Sequence, residues 1–238
     1  SEVEWGSVLD KDYYGDEVIE KGKVGVDKEW DSMGNLIKDN LYTNDGIIVQ
    51  VKEWEFFNNG VKSFERVGNI SKSFNRNGSL RWKQTDSISA YTGFKKEHYS
   101  KGGQLVKEEN YKYNKLNGVY KTYYKNGQVN AWGNYKNGKK NGLWKYYNNN
   151  GQLVIEENYK SNSLHGAYNS YYENGLLRDE GNYKFGKKNG QWKSWNRNKW
   201  PLQLKREENY KDGKKNGQCK SWYDNGQLQK EENYKNDY

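Results

Sequence analysis

The sequence predicts an all-β chain, an elongated antiparallel sheet of stacked β-hairpins with a period of roughly 24 residues. Composition is the first reason. The 238 residues hold 22 Tyr, 10 Trp and 26 Gly against a single Met, a balance that suits strands and tight turns and disfavours helices. Mean hydropathy is -1.34, low enough for a disordered chain, but an aromatic content of 16% argues for a packed one. The second reason is an internal repeat. Asn-Tyr recurs at Asn110-Tyr111, Asn134-Tyr135, Asn158-Tyr159, Asn182-Tyr183, Asn209-Tyr210 and Asn233-Tyr234, a constant step except before Asn209, where three positions are inserted. A glycine opening each unit keeps the same steps at Gly118, Gly142, Gly166, Gly190 and Gly217. A further glycine lies nine residues on, at Gly127, Gly151, Gly175 and Gly226.

Each unit reads as one hairpin. Gly142-Leu-Trp-Lys-Tyr-Tyr147 forms the first strand and Gln152 to Tyr159 the second. The Asn-Gly between them predicts a type I′ turn, because both central residues there need positive φ. The Lys-rich segment from Lys136 to Gly142 turns the chain into the next unit. The core Gly-x-Trp-Lys-x-Tyr-Tyr-x-Asn-Gly-Gln-Leu, seen with variations from Gly142, Gly166 and Gly217, resembles the bacterial MORN-2 type repeat. That resemblance extends over residues 104–238 in regular form. It continues loosely through 51–103, as Phe56-Phe-Asn-Asn-Gly60 and Phe74-Asn-Arg-Asn-Gly78, and leaves a trace at Trp30 to Ile37. It implies an elongated hairpin array used for binding, with no catalytic residues or cofactor, in a family that includes proteins labelled as antitoxins of toxin–antitoxin pairs.

Stacked units place like side chains in columns, the contacts that stabilise sheets. One column runs Tyr120, Trp144, Tyr168, Trp192 and Cys219; another runs Tyr123, Tyr147, Tyr171, Trp195 and Trp222. Three residues apart, they point to opposite faces of a regular strand, unless a bulge brings both to one face. The second strand supplies Val129, Leu153, Leu177, Leu204 and Leu228, with the repeating Tyr six residues later expected on the same face.

Enzyme chemistry finds no constellation in this pattern. The carboxylate pairs Glu108/Glu109, Glu156/Glu157, Glu207/Glu208 and Glu231/Glu232 are adjacent in their strands, so the two members face opposite ways. His98 and His165 lie in or beside turns with no second ligand at metal spacing. The single Cys219 replaces an aromatic and excludes an intramolecular disulfide. No apolar run approaches the ~18 residues of a membrane-spanning helix.

Charge divides the chain. Residues 1–50 carry 12 acidic and 5 basic side chains, net -7, and residues 51–238 a net +16. The expected organisation is an acidic, degenerate N-terminal cap over 1–50, degenerate repeats over 51–103 and regular repeats over 104–238, in one continuous array. The cap covers strand edges that otherwise invite pairing with another chain. The chain starts at Ser1 without Met, which suits a processed envelope or exported protein; a cytoplasmic location is the alternative.

Lysines recur in the inter-unit turns as Lys136, Lys139 and Lys140, then Lys184, Lys187 and Lys188, then Lys211, Lys214 and Lys215. They line one long edge, with clusters expected about 10 Å apart. Such a row guards against edge-to-edge aggregation and equally forms a basic rail for an acidic partner. Departures from the repeat add specificity. The insertion between Asn196 and Gln203 holds Arg197, Lys199, Trp200 and Pro201, with Trp200 expected at an exposed tip as an anchor. Trp132 replaces the Glu present in five other units.

The leading functional expectation is a non-enzymatic, monomeric protein-interaction module for a partner with an acidic patch, such as a toxin or an envelope complex. Carbohydrate or cell-wall binding through exposed aromatic rows is one alternative. Anionic lipid or nucleic-acid binding through the Lys-rich edge is the other.

Overall fold

Backbone conformation at the turns sets the architecture. In the computed structural model, which describes residues 2–7, 23–33, 35–42, 48–86, 93–197 and 203–236, positive φ concentrates between hairpins. Asn137 and Gly138 have φ of 51° and 77°, and Ser161 and Asn162 have 51° and 71°. These pairs are the type I′ turns, and they join one hairpin to the next. The Asn-Gly loops within hairpins differ from the sequence expectation. Gly151 has φ of 78° but Asn150 does not share the left-handed region. The Gly151 N–H donates to the Asn148 carbonyl at 3.0 Å, and the Asn148 side chain accepts from the N–H groups of Asn150 and Gln152 at 3.0 Å each. The Asn side chain thus stabilises a type I turn that closes through a single left-handed Gly, so two consecutive positive φ values are not required.

All regular elements among the described residues are strands. Two units divide the chain, Ser1–Gln104 and Leu105–Tyr238. The first contains β1 (Glu2–Ser7), β2 (Lys23–Trp30), β3 (Leu36–Tyr42), β4 (Ile48–Phe56), β5 (Lys62–Val67), β6 (Ile70–Phe74), β7 (Leu80–Asp86) and β8 (Gly93–Tyr99), each antiparallel to the next. In the second, the long strands are β9 (Leu105–Lys112), β11 (Gly118–Tyr123), β12 (Val129–Lys136), β14 (Gly142–Tyr147), β15 (Leu153–Lys160), β16 (Ser163–Tyr171), β17 (Leu177–Lys184), β19 (Gly190–Trp195), β20 (Leu204–Lys211), β22 (Gly217–Trp222) and β23 (Leu228–Tyr234). Short bridges β10 (Lys115–Leu116), β13 (Lys139–Lys140), β18 (Lys187–Lys188) and β21 (Lys214–Lys215) close the type I′ turns.

A bulge recurs in every hairpin of the second unit. Tyr146 pairs with Ile155 and Tyr147 with Leu153, so Val154 is an extra residue on the second strand. Equivalent shifts occur at Thr122/Tyr123, Ser170/Tyr171, Ser194/Trp195 and Ser221/Trp222. The first unit repeats the device at Glu29/Trp30, Leu41/Tyr42, Glu55/Phe56 and Ser73/Phe74. Since the extra residue is on the second strand, the columns of Trp144 and Tyr147 keep opposite faces. The bulge corrects one expectation: Leu153 shares the face of Tyr147, whereas Tyr159 pairs with Gly142 and meets Trp144 on the other.

The second unit's core is a single column on the Trp144 face. Trp144 is 1% exposed, Trp192 6% and Cys219 7%. No second layer of the unit's strands is needed, because neighbours fold over each ring. Tyr120, Tyr135 and Tyr159 place their centroids 5.7, 5.2 and 6.2 Å from Trp144. Tyr168 and Tyr183 do the same for Trp192 at 5.4 and 5.0 Å. Aromatic contacts of this kind add roughly 0.5–1.5 kcal/mol each beyond area burial.

Two kinds of junction alternate along this column. Where Trp follows, the preceding strand carries Gly: a Cβ on Gly133 would lie 2.2 Å from the Trp144 ring, and one on Gly181 2.3 Å from Trp192. Each indole N–H then donates to the carbonyl of the next residue, Asn134 or Asn182, at 3.1 Å. Where Tyr or Cys follows, the preceding strand carries Glu109, Glu157 or Glu208. There the Asn side chain crosses instead, Asn110 to the Val119 carbonyl, Asn158 to Ala167 and Asn209 to Gln218 at 2.6, 3.0 and 2.6 Å. Hairpin tips follow the same pairing: Tyr124 donates to the Tyr147 carbonyl at 2.7 Å, and Tyr172 to that of Trp195 at 2.8 Å. The structural repeat is therefore a pair of hairpins, with Trp144 and Trp192 in equivalent places of successive pairs.

In the first unit Glu65 provides a pH-sensitive tie. The Lys72 ammonium at 2.8 Å and that of Lys62 at 2.9 Å outweigh partial burial and bring its carboxyl from the ordinary 4.5 to about 2. With the folded pKa depressed, the contribution is present above pH 4.5 and lost as pH falls toward 2. Glu65→Gln is expected to lower unfolding free energy at pH 7 by on the order of 1 kcal/mol after solvent screening. Denaturation at stepped pH should show that difference shrinking between pH 4.5 and about 2.

Candidate interaction surfaces

The inter-hairpin lysines divide by role. Lys139, Lys187 and Lys214 are exposed, whereas Lys140, Lys188 and Lys215 are half-buried. Adjacent strand residues face opposite ways, so the second lysine of each pair turns onto the aromatic column. The Lys140 ammonium sits 4.2 Å from the Trp144 ring centroid and 4.9 Å from that of Tyr159, and Lys188 lies 4.2 Å over Trp192. Burial lowers the Lys140 pKa against the opposing pull of Glu157. Lys215, where Cys219 replaces the indole, bonds Glu208 at 2.8 Å, which raises its pKa. The structure also corrects the expected spacing. Four strand steps separate Lys139 from Lys187, roughly 19 Å, while Lys187 and Lys214 are two steps apart, roughly 10 Å.

Paired carboxylates of the repeat are tied to tyrosines on opposite faces. Glu156 accepts from Tyr171 at 3.1 Å and meets Lys145 at 2.7 Å. Glu157, on the Trp144 face, accepts from Tyr159 at 2.5 Å, and burial together with that carboxylate pushes the phenol up to about 12. Glu109 is buried and Glu208 and Glu232 take the same Tyr partner two residues on. His165 packs on Phe185 with centroids 5.0 Å apart, and His98 pairs across the sheet with Trp82.

Of the insertion residues, Arg197 is exposed and ion-pairs with Glu173 at 3.1 Å. Lys199, Trp200 and Pro201 lie outside the described residues. The Asn196 N–H still reaches the Gln203 carbonyl at 3.0 Å, the closure that Asn148 and Gln152 make in the regular loop. The insertion therefore leaves the hairpin register intact.

Trp132 occupies a cleft of about 580 Å³ on the face opposite Trp144, lined with Lys121, Val129, Lys145 and Tyr147. It is paired across the sheet with Lys121 on one side and Lys145 on the other. Gly151 closes the tip end, where an added Cβ would press on Gln128 at 3.3 Å. The sequence singled out Trp132 but gave no sign of the hollow, which arises because the bulge puts Val129 on the Trp132 face.

Hairpins linked by type I′ turns and stacked edge to edge on an internal aromatic column define a β-hairpin repeat protein. Residues 116–137, 140–161, 164–185 and 215–236 each match the MORN repeat variant, and the chain carries a tandem array of these repeats. Residues 186–214, outside the four matches, contain the hairpin with the insertion. A comparison with curated proteins finds no match. Among solved structures, the crystal structures of TcdB2-TccC3-Cdc42 and TcdB2-TccC3 align with 87% and 88% of this chain at 11% and 12% identity, each with a TM-score of 0.28. This chain spans 14% of each of those chains, and a likeness at that score supports no functional argument.

Proposed function

We propose that this chain is a non-enzymatic interaction module that docks a partner protein with an acidic patch on its repeat surface and basic edge. The observation that carries the reading is the division of the turn lysines. One member of each pair turns inward, Lys140 and Lys188 onto a buried Trp and Lys215 onto Glu208, and the other, at Lys139, Lys187 and Lys214, stays exposed at the same place in its turn. A stacked scaffold requires the first lysine for its own packing but not the second. Repeats of this variant serve in general as protein- and membrane-interaction modules, which supports the assignment. Neutralising a toxin is one concrete form of it, and service in an envelope complex another. The row of exposed rings that stacking on sugars requires is not offered by Trp144 and Trp192, which are buried.

A photo-crosslinking residue at Lys187, installed in the native cell, tests this. One protein adduct is expected, lost in the triple variant Lys139→Glu, Lys187→crosslinker, Lys214→Glu with the melting temperature unchanged. Adducts only with lipid or glycan would overturn it.

A further inference from the structure

We propose that the cleft beside Trp132 binds a carboxylate presented by an extended acidic peptide segment of a partner protein, in the position where this hairpin lacks the glutamate of its neighbours. The inference rests on the reading of the chain as a protein-docking module and adds a specific pocket and chemistry to it.

The starting point is the slot that the repeat fills elsewhere. One hairpin further on, Glu156 occupies it, holding the Lys145 ammonium at 2.7 Å on one side and accepting the Tyr171 hydroxyl at 3.1 Å on the other. One hairpin earlier Glu108 accepts from the Tyr123 hydroxyl. The residues one hairpin before Lys145, Glu156 and Tyr171 are Lys121, Trp132 and Tyr147. The cation and the phenol donor are both retained; only the acceptor is replaced, by an indole. Among the described residues the Lys121 ammonium has no ion pair and the Tyr147 hydroxyl no hydrogen bond, although Glu108 stands opposite Lys121 on β9 and is taken by Tyr123. Both groups therefore remain available to a carboxylate that comes from outside.

The remainder of the cleft suits a peptide. A ligand carboxylate between Lys121 and Tyr147 gains charge-assisted hydrogen bonds of the kind the neighbouring slots already make. Beside it, Val129 and the rings of Trp132 and Tyr147 form an apolar floor for the flanking side chain. A volume of about 580 Å³ accommodates one acidic side chain and an apolar neighbour, and side chains alternating along an extended segment present them in turn.

The test uses the full chain labelled with ¹⁵N, following the indole N–H resonance of Trp132, assigned by its loss in Trp132→Phe. The probes are the blocked pentapeptide Ala-Val-Glu-Val-Ala and its Gln counterpart. A saturable shift with the Glu peptide is expected, at least ten-fold weaker with the Gln peptide. Lys121→Met and Tyr147→Phe are each expected to weaken binding about ten-fold. Trp132→Glu supplies the missing carboxylate internally; binding, followed in this variant by the fluorescence anisotropy of a labelled Glu peptide, should disappear while the melting temperature holds or rises. Equal shifts with both peptides, or Glu-peptide binding that survives Trp132→Glu, would overturn the proposal. So would a shift produced by galacturonate and not by either peptide, which would reassign the cleft to an acidic sugar. If peptide binding fails while the Lys187 cross-link to a protein persists, the cleft assignment falls alone; the reverse result removes the basic-edge reading alone.

Discussion

Trp144→Ala is expected to lower the stability of the second unit by about 3–5 kcal/mol, as truncation of a buried Trp commonly does. The ring is 1% exposed and touches side chains from three other strands, so its loss leaves a cavity that a single-layer sheet has little material to fill. Three further contacts fail with it. The indole N–H no longer satisfies the Asn134 carbonyl, Lys140 loses the ring 4.2 Å beneath its ammonium, and Gly133 is left facing empty space. Trp132→Ala provides the contrast, because that ring is half-exposed in an open cleft and its removal should cost within about 1 kcal/mol. Urea denaturation followed by far-ultraviolet circular dichroism measures both. Equal losses for the two variants would mean that the Trp144 column is not the core.

Much of this core was legible in the sequence, and what was not has a physical cause. The hairpins, their order and the columns of Trp144 and Tyr147 follow from local turn chemistry and a period of two along each strand. The same locality hid the turn types. Asn-Gly satisfies a type I′ turn and a type I turn closed by Gly equally well, and the Asn148 side chain, bonded to two backbone N–H groups, decides for the second. Placement of Leu153 against Tyr159 depended on an extra residue at Val154 that no side-chain pattern marks. The lysine edge read as uniform because exposure alternates within each Lys-Lys pair, and only the structure shows a ring within reach of Lys140 and Lys188. For the candidate site, the Trp132 exception is plain in the sequence, since the five other units carry Glu at that position. Its consequence, a lysine and a tyrosine left without their carboxylate, needed the cross-strand register.

The two-hairpin alternation did leave a sequence signal: Gly133 and Gly181 stand where Glu is expected, each followed eleven residues later by Trp144 or Trp192, whereas Glu109 and Glu157 are followed by Tyr120 and Tyr168. If this is a steric code, exchanging both members of one junction should restore what either exchange destroys. Gly133→Glu alone puts a Cβ 2.2 Å from the Trp144 ring, which must leave its pocket, and a loss of about 3 kcal/mol or more is expected from the overpacking. Trp144→Tyr alone gives up the bond to the Asn134 carbonyl and leaves a gap above Gly133. Together they rebuild the junction seen at Glu157 and Tyr168. The introduced carboxylate can accept from Tyr135 as Glu157 accepts from Tyr159, and the freed Asn134 amide can reach the Leu143 carbonyl as Asn158 reaches that of Ala167. The double variant should therefore be more stable than Gly133→Glu by at least about 1.5 kcal/mol, within the range of coupling between contacting residues. A double-mutant cycle in urea gives the number directly; losses that simply add would show that the Gly–Trp and Glu–Tyr junctions are not interchangeable solutions to one packing problem.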